Sequence, residues 1–172
     1  MRELLLLRHA KSAWDVPGLD DHARDLAPRG KKAAKKMGAL LAEKDLLPDL
    51  VLCSTAKRAV RTLELVAEQL PRPLEVRCLD ALYLASEEAM LKLVRAQDDA
   101  VRRLMLVGHD PGFHRLALEL VGAADAEAIR TGLVQKFPTG ALAHLALPIA
   151  HWAEIAPGKA RLVAFYKPRE LD

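Results

Sequence analysis

The chain has 172 residues, of which 51% are hydrophobic and 4% aromatic, and its formal net charge is +3. That length predicts a single domain over residues 1–172, with a core of Leu, Val, Ile and Ala. The mild charge, with no aromatic series among the basic residues, excludes a typical nucleic-acid-binding surface. No apolar run reaches the ~20 residues of a transmembrane helix, and no signal peptide is recognisable. We therefore expect a cytoplasmic protein with no nucleic-acid or membrane partner.

The first predicted strand, residues 4–7, is a run of four leucines followed directly by Arg8 and His9. A helix is then predicted to begin at Pro28, because proline is tolerated in the first turn of a helix. The apolar stripe of this helix contains Ala33, Ala34, Met37, Leu40 and Leu41. Its solvated face carries Lys31, Lys32, Lys35 and Lys36. This amphipathic pattern favours an ordinary surface helix over a nucleic-acid site.

The second predicted strand, residues 51–53, leads into a helix over residues 55–70, with Ser54 or Thr55 near its N-cap. Arg58 lies about one turn into that helix. A third strand is predicted over residues 74–79.

A helix opening at Ser86 and ending near residue 96 follows the third strand. The fourth strand, residues 104–107, is followed by Gly108 and His109, and a helix covers residues 111–121. Like the first two strands, this strand ends at residues that can bind an anion.

The remainder predicts a short helix and a loop over residues 123–137, and then two strands over residues 140–147 and 161–166. Strands that alternate with helices form parallel β-α-β units, and the last two strands, with no helix between them, suggest an antiparallel pair. We therefore predict an α/β fold, a three-layer α/β/α sandwich with a mostly parallel central sheet and an antiparallel edge strand. Cys53 and Cys78 are predicted to be buried free thiols within strands.

The strand ends define a candidate site. In an open parallel sheet, ligands bind at the carboxyl ends of the strands, so Arg8, His9, Arg58 and His109 are expected to converge there. Arginine forks and a helix N-terminus suit a phosphoryl group, and a neutral imidazole is a nucleophile toward phosphorus. Two histidines without a third ligand at a convincing spacing do not make a metal site, so we predict no metal and no cofactor.

At this point the chain resembles the histidine phosphatase superfamily, also called phosphoglycerate mutase-like. Residues 7–12 (LRHAKS) resemble its R-H-G-x-S signature, residues 54–62 its second motif, and Gly108-His109 its third. The small size and residues 107–112 (VGHDPG) resemble the small SixA-like phosphohistidine phosphatase branch. The resemblance implies that His9 is the phosphorylated nucleophile, that Arg8 and Arg58 hold the phosphoryl oxygens, and that His109 donates to them.

The chain departs from the family pattern at several positions. Ala10 replaces a common glycine, and Asp15 stands where many relatives carry an asparagine near the phosphate. Many relatives also carry a glutamate general acid after the third strand. The nearest carboxylate here is Asp80, a candidate general acid whose alternative role is to cap backbone N–H groups. A weak or absent acid suits a phosphoramidate such as phosphohistidine, whose leaving group needs little protonation by the enzyme.

These features favour a phosphatase acting through a covalent phosphohistidine intermediate, with a phosphorylated protein as substrate. Two alternatives stay open. One is a phosphatase for a small phosphate ester, and the other is a non-catalytic phosphate-binding module.

Overall fold

A computed structural model describes residues 1–171 and contains a six-stranded sheet with helices on both faces. The strands are β1 (Arg2–Arg8), β2 (Leu50–Ser54), β3 (Val76–Leu79), β4 (Arg103–Gly108), β5 (Leu142–Leu147) and β6 (Arg161–Tyr166). The helices are α1 (Pro28–Glu43), α2 (Lys57–Ala67), α3 (Glu87–Arg95), α4 (Gly112–Val121) and α5 (Ala126–Arg130). Short 3₁₀ turns lie at Asp21–Ala23, Asp80–Leu82, Trp152–Glu154 and Pro168–Glu170.

The sheet has the strand order β3-β2-β4-β1-β5-β6. The pairs β3-β2, β2-β4 and β4-β1 are parallel, whereas β5 runs antiparallel to β1 and β6 antiparallel to β5. This arrangement confirms the predicted α/β class, the mostly parallel sheet and the antiparallel pair at one edge.

The four leucines of β1 show why the fold has three layers. Successive side chains of a strand point to opposite faces of its sheet. Leu5 and Leu7 pack with residues of α1 and α2, whereas Leu4 and Leu6 pack with residues of α3 and α4. Because all four leucines are fully buried, the strand lies between two hydrophobic cores, as a central parallel strand requires.

Several strand and helix boundaries in the structure differ from the predicted ones for local reasons. Strand β5 begins at Leu142, because Gly140 adopts a positive φ of 75° in the preceding turn. Helix α2 begins at Lys57 with Ala56 as its N-cap, so neither Ser54 nor Thr55 occupies that position. Ser54 instead ends β2, and its hydroxyl bonds within the candidate site described below.

The prediction that both cysteines are buried was wrong for Cys78. Cys53 is buried, but Cys78 is exposed because β3 is the edge strand of the sheet, where all of its residues are at least partly exposed. Both thiols are free. Burial raises the pKa of Cys53 well above its ordinary value, so this thiol is protonated at neutral pH.

Candidate active site

The carboxyl ends of β1 and β4 lie side by side, with Arg8 in register with Gly108. The backbone N–H of His9 donates to Gly108 O at 3.0 Å, which holds the two strand ends together. A pocket of about 240 Å³ opens here, and Arg8, His9, Arg58 and His109 all line it. The structure thus brings together the four residues that the sequence placed at strand ends.

His9 is a buried, uncharged imidazole at the end of β1. Its ring is 7% exposed, and Nδ1 lies 2.8 Å from the backbone oxygen of Ala10. Because a carbonyl only accepts, Nδ1 carries the proton and Nε2 keeps the lone pair. Burial, reinforced by the charges of Arg58 and Arg8, lowers the pKa of His9 to about 3. The imidazole is therefore uncharged at neutral pH, with its lone pair on Nε2.

The loop that follows His9 is fixed from two sides. The N–H of Ala10 donates to Thr62 Oγ1 at 2.9 Å, and that hydroxyl donates to Arg58 O at 2.7 Å, which ties the loop to α2. On the other side, Gly30 of α1 packs so closely that a Cβ there would lie 2.1 Å from Lys11 O. This position excludes any side chain, so a glycine is required for α1 to approach the loop.

Each arginine of the pocket has a fixed partner. Arg8 Nη1 donates to Phe137 O at 2.7 Å and lies 3.8 Å from Asp110 Oδ2. Arg58 is 3% exposed, and its Nη1 and Nη2 donate to the backbone oxygen and to Oδ2 of Asp21 at 2.8 and 3.0 Å. Preorganised guanidinium groups of this kind stabilise charge that develops on a phosphoryl group without having to reorganise.

Asp21 anchors this side of the pocket, and no sequence signal had indicated it. Its carboxylate accepts hydrogen bonds from Tyr83 Oη, from Arg58 and from Arg24. The bond from Tyr83, followed by those from Arg58 and Arg24, lowers the pKa of Asp21 to about 2. The group is thus a permanent anion that orients Arg58. Two of its partners, Arg58 and Tyr83, lie 37 and 62 residues away along the chain, so only the tertiary fold reveals these contacts.

His109 is oriented by Ser54. The fully buried hydroxyl of Ser54 accepts from Ala56 N–H at 3.2 Å and lies 2.7 Å from His109 Nε2. A buried hydroxyl proton needs an acceptor, and Nε2 is the one that the geometry offers. The proton of the neutral His109 ring therefore resides on Nδ1, a buried atom with no hydrogen-bond partner within residues 1–171.

The two histidine rings of the pocket are neighbours, with centroids 5.3 Å apart. Burial and the charge of Arg58 lower the pKa of His109 to about 4, so it is neutral at pH 7 like His9. A neutral His109 keeps Nδ1–H as a donor and adds no charge to those of the arginines.

Two aspartates singled out in the sequence lie elsewhere. Asp80 is exposed, accepts a 2.5 Å hydrogen bond from Thr55 Oγ1, and is not part of the pocket lining. It does not cap the turn that it begins. Asp15 is exposed and lines a separate depression with Asp25 and Lys57, and it is not part of the lining of the pocket that contains His9.

The carboxylate that does line the pocket is Asp110, next to His109 in the chain. Its Oδ1 accepts from His114 N–H at 3.1 Å in the first turn of α4, and its Oδ2 faces Arg8. Oδ1 is therefore a hydrogen-bond acceptor, whereas Oδ2 forms an ion pair with Arg8 at 3.8 Å, which is too long for a hydrogen bond. Within residues 1–171, no group of three or more His, Cys, Asp or Glu side chains is placed to hold a metal ion. In the same range, no helix is long and apolar enough to cross a membrane.

Known proteins resemble this chain in sequence and in fold. The profile of the family described as "Histidine phosphatase superfamily (branch 1)" matches residues 4–83. An uncharacterized protein of Mycobacterium tuberculosis is 38% identical over 164 residues, which cover 95% of this chain and 100% of that protein.

Two solved structures extend the comparison. One from Agrobacterium tumefaciens, assigned as the phosphohistidine phosphatase SixA, is 32% identical with a TM-score of 0.82 and covers 97% of this chain and 98% of its own. The α-ribazole phosphatase of Shigella flexneri has a TM-score of 0.63 at 19% identity, covers 96% of each chain, and shares the fold.

Proposed function

Because this chain belongs to the SixA-like branch of the histidine phosphatase superfamily, we propose that it hydrolyses phosphohistidine on a protein through a covalent intermediate at His9. Family membership supports phosphatase activity. The roles of the individual residues and the identity of the substrate are our inference from the geometry of the pocket.

The first step transfers the phosphoryl group to the enzyme. The lone pair of His9 Nε2 attacks phosphorus and forms a P–N bond, while the bond from phosphorus to the leaving nitrogen breaks and that nitrogen keeps the electron pair. Arg8 and Arg58 hold the phosphoryl oxygens, and His109 donates its Nδ1–H to the same oxygens. Positioning and charge stabilisation supply most of the catalysis in reactions of this class.

The second step regenerates the enzyme. Water attacks the phosphorus of phospho-His9, the P–Nε2 bond breaks, and inorganic phosphate leaves while the water proton passes to solvent. His9 returns to its neutral state. The depressed pKa of His9 favours this state, because a neutral ring is ready for the next attack without first losing a proton.

The observation that carries the substrate assignment is the state of the nearby carboxylates. Asp21 is held as an anion by Tyr83 and Arg58, and Asp110 is engaged by Arg8 and the first turn of α4. We infer that neither carboxylate delivers a proton to the leaving group, and Asp80 lies outside the pocket lining. A phosphoramidate suits such a site, since solvent can protonate its leaving nitrogen, whereas an alkyl ester needs an acid from the enzyme.

The rim of the pocket supports a protein substrate. Trp14 is 73% exposed and Leu84 is 56% exposed, and both line the pocket mouth. Large exposed apolar side chains around a polar site are typical of surfaces that contact another protein. Trp14 is also held in place, because the guanidinium of Arg24 lies 3.5 Å from the centroid of its ring.

A leaving-group series tests the proposal. We expect a phosphohistidine peptide and p-nitrophenyl phosphate to be hydrolysed, and an alkyl phosphate to be slower by about 10²–10⁴-fold, the usual contribution of general acid catalysis. Asp80→Asn is expected to stay within about one order of magnitude of the wild type, with Asp15→Asn as its exposed control. Alkyl phosphates turned over as fast as phosphohistidine, or a collapse of all rates in Asp80→Asn, would establish a small-ester phosphatase instead. Binding of phosphate without any turnover would establish a non-catalytic module.

A further inference from the structure

A second cation-rich feature lies beside the pocket lined by Arg8, His9, Arg58 and His109, here named the phosphate pocket. It is a groove of about 400 Å³ between α1 and the segments 136–139 and 167–169, here named the basic groove. Its seven basic residues include five whose side chains have no partner within residues 1–171: Lys11, Arg29, Lys32, Lys136 and Arg169. Its lining contains no Asp or Glu. The groove contains neither histidine of the pocket, so it is a binding surface rather than a second reaction centre.

The charge of the groove contrasts with the rest of the chain. Of the 26 Lys and Arg residues, seven line the groove, so the other 19 are outnumbered by 23 acidic residues. The positive charge of this protein is therefore concentrated on one side of the molecule. Such a concentration attracts anions and raises their rate of encounter with the surface.

The groove is continuous with the phosphate pocket. Lys11 and Thr139 line both, and Lys11 lies only two residues after the nucleophile His9. A substrate whose phosphoryl group enters the pocket can therefore reach the groove across this shared rim.

The distribution of the cations indicates an extended ligand. Arg29, Lys32 and Lys36 follow one face of α1, and the first and last are seven positions apart, a length of about 10 Å at the helical rise of ~1.5 Å per residue. Three residues of extended peptide span a similar length, at ~3.3 Å each. If the groove bound one further phosphate group instead, its donors would be expected to converge on one point, as the donors of the pocket that contains Arg58 do.

The character of the groove also favours a peptide. Its walls include Ala33, Pro138 and Pro168, which offer apolar contacts to a chain lying between the cations. Most of the cations are lysines, which act as point charges on flexible stems and follow carboxylates in varied positions. Lys167 is held in place, because its amino group donates to Thr131 O at 2.7 Å and lies 3.2 Å from Glu170 Oε1.

We propose that the basic groove binds an acidic segment of the protein substrate that flanks the phosphorylated histidine. This inference rests on the proposed function and specifies its substrate, namely a phosphohistidine with neighbouring Asp or Glu residues on an accessible strand of chain. The pocket selects the phosphoryl group, and the groove selects the protein that carries it.

The test compares two phosphohistidine peptides that differ only in three flanking residues, which are Glu in one and Gln in the other. At low ionic strength we expect kcat/KM for the acidic peptide to exceed that for the neutral one by about 10-fold or more, and the ratio to fall as salt screens the groove. The double variant Lys32→Gln/Lys136→Gln is expected to abolish this preference while leaving kcat/KM for p-nitrophenyl phosphate unchanged.

A matched control removes the same charge elsewhere. Lys35 and Lys44 are exposed residues of α1 and its C-cap and do not line the groove, so Lys35→Gln/Lys44→Gln is expected to keep the preference for the acidic peptide. Equal rates on the two peptides in the wild type, or a preference that survives Lys32→Gln/Lys136→Gln, would overturn the proposal.

Two further arms separate this proposal from its premise. If p-nitrophenyl phosphate is hydrolysed but neither phosphohistidine peptide is, the proposed substrate is wrong, and the groove is then judged by fluorescence anisotropy of the unphosphorylated acidic peptide. Binding that is lost in Lys32→Gln/Lys136→Gln supports the groove, and no binding overturns it. Inhibition by inorganic tripolyphosphate that depends on Lys32 and Lys136, without binding of the peptide, would overturn it in favour of a polyphosphorylated small molecule.

Discussion

The phosphate pocket and the basic groove are adjacent and both rich in cations, yet they are built in opposite ways. In the pocket, Arg58 is 3% exposed and fixed by Asp21, and Arg8 is fixed by Phe137 and Asp110. In the groove, Arg29 and four other cations have no side-chain partner within the described chain and extend into solvent. Buried and fixed charges suit catalysis, whereas solvated and mobile charges suit attraction of a substrate.

This difference implies a difference in magnitude. A preorganised donor next to the reacting atoms contributes far more than an exposed ion pair, which is typically worth ~0.2–1 kcal/mol. Substitutions in the pocket should therefore reduce turnover of every substrate, whereas substitutions in the groove should change only the choice among substrates.

The largest expected effect is the loss of the nucleophile. His9→Ala should reduce kcat by more than about 10⁴-fold on every substrate, because the covalent step has no substitute. Steady-state assays with p-nitrophenyl phosphate measure the loss, and an unchanged circular dichroism spectrum shows that the fold persists. Appreciable residual turnover in His9→Ala would mean that the pocket is only a binding site, and its contrast with the groove would disappear.

A smaller loss is expected at Arg58: Arg58→Ala should lower kcat/KM by about 10²–10³-fold. Arg58→Lys should also be impaired, since a point charge cannot replace a bidentate fork. The matched control is Arg61→Ala on the same helix, because Arg61 is half-exposed and pairs with Glu64 at 3.4 Å. Equal losses of kcat/KM in Arg58→Ala and Arg61→Ala would show that the buried, fixed Arg58 contributes no more to turnover than the half-exposed Arg61.

A more modest effect is expected from Ser54→Ala. This substitution removes the hydroxyl that accepts from Ala56 N–H and donates to His109 Nε2. The loss should be about 10-fold in kcat, together with ~1–3 kcal/mol of stability because His109 Nε2 is left unpaired. Nitrogen NMR of the wild type should show the His109 proton on Nδ1, and Ser54→Ala should mix the two tautomers. A proton on Nε2 in the wild type would contradict the assigned role of Ser54.

The smallest effect concerns pH, where no change is expected near the ordinary histidine pKa. His9 and His109 have pKa values lowered to about 3 and about 4, so both stay neutral as the pH falls from 7 to 5. The quantity kcat/KM reports the free enzyme. Corrected for ionisation of the substrate, it should therefore keep its value over this range and decline only toward pH 4. A fall in the corrected kcat/KM centred near pH 6.5 would show that burial in the pocket does not lower the pKa values of His9 and His109.

Comparison of the two regions also shows what could be predicted from the sequence. The pocket follows from short patterns: a buried strand such as residues 4–7, then Arg8 and His9 at its end. Strand-end residues converge because parallel strands share one direction, so a local pattern is enough to place them. The same reasoning located His109 after β4.

The groove was beyond sequence reasoning for a physical reason. Its cations come from α1, from residue 136 and from residues 167 and 169, which only the tertiary fold brings together. In the sequence alone, nothing distinguishes Lys32 and Lys36 from Lys35, which does not line the groove. The anchors of the pocket, Asp21 and Tyr83, were missed for the same reason, and Cys78 was misplaced because periodicity cannot tell an edge strand from a central one.

The most direct measurement of the central claim is to trap the phosphoenzyme. Rapid mixing with ³²P-labelled substrate, followed by a quench in alkali, should give a labelled protein whose label is lost in acid. Mass spectrometry should place that label on the peptide that contains His9, and His9→Ala should give none. Turnover without any trapped phosphoenzyme, or a label located at another residue such as Ser54, would contradict covalent catalysis by His9.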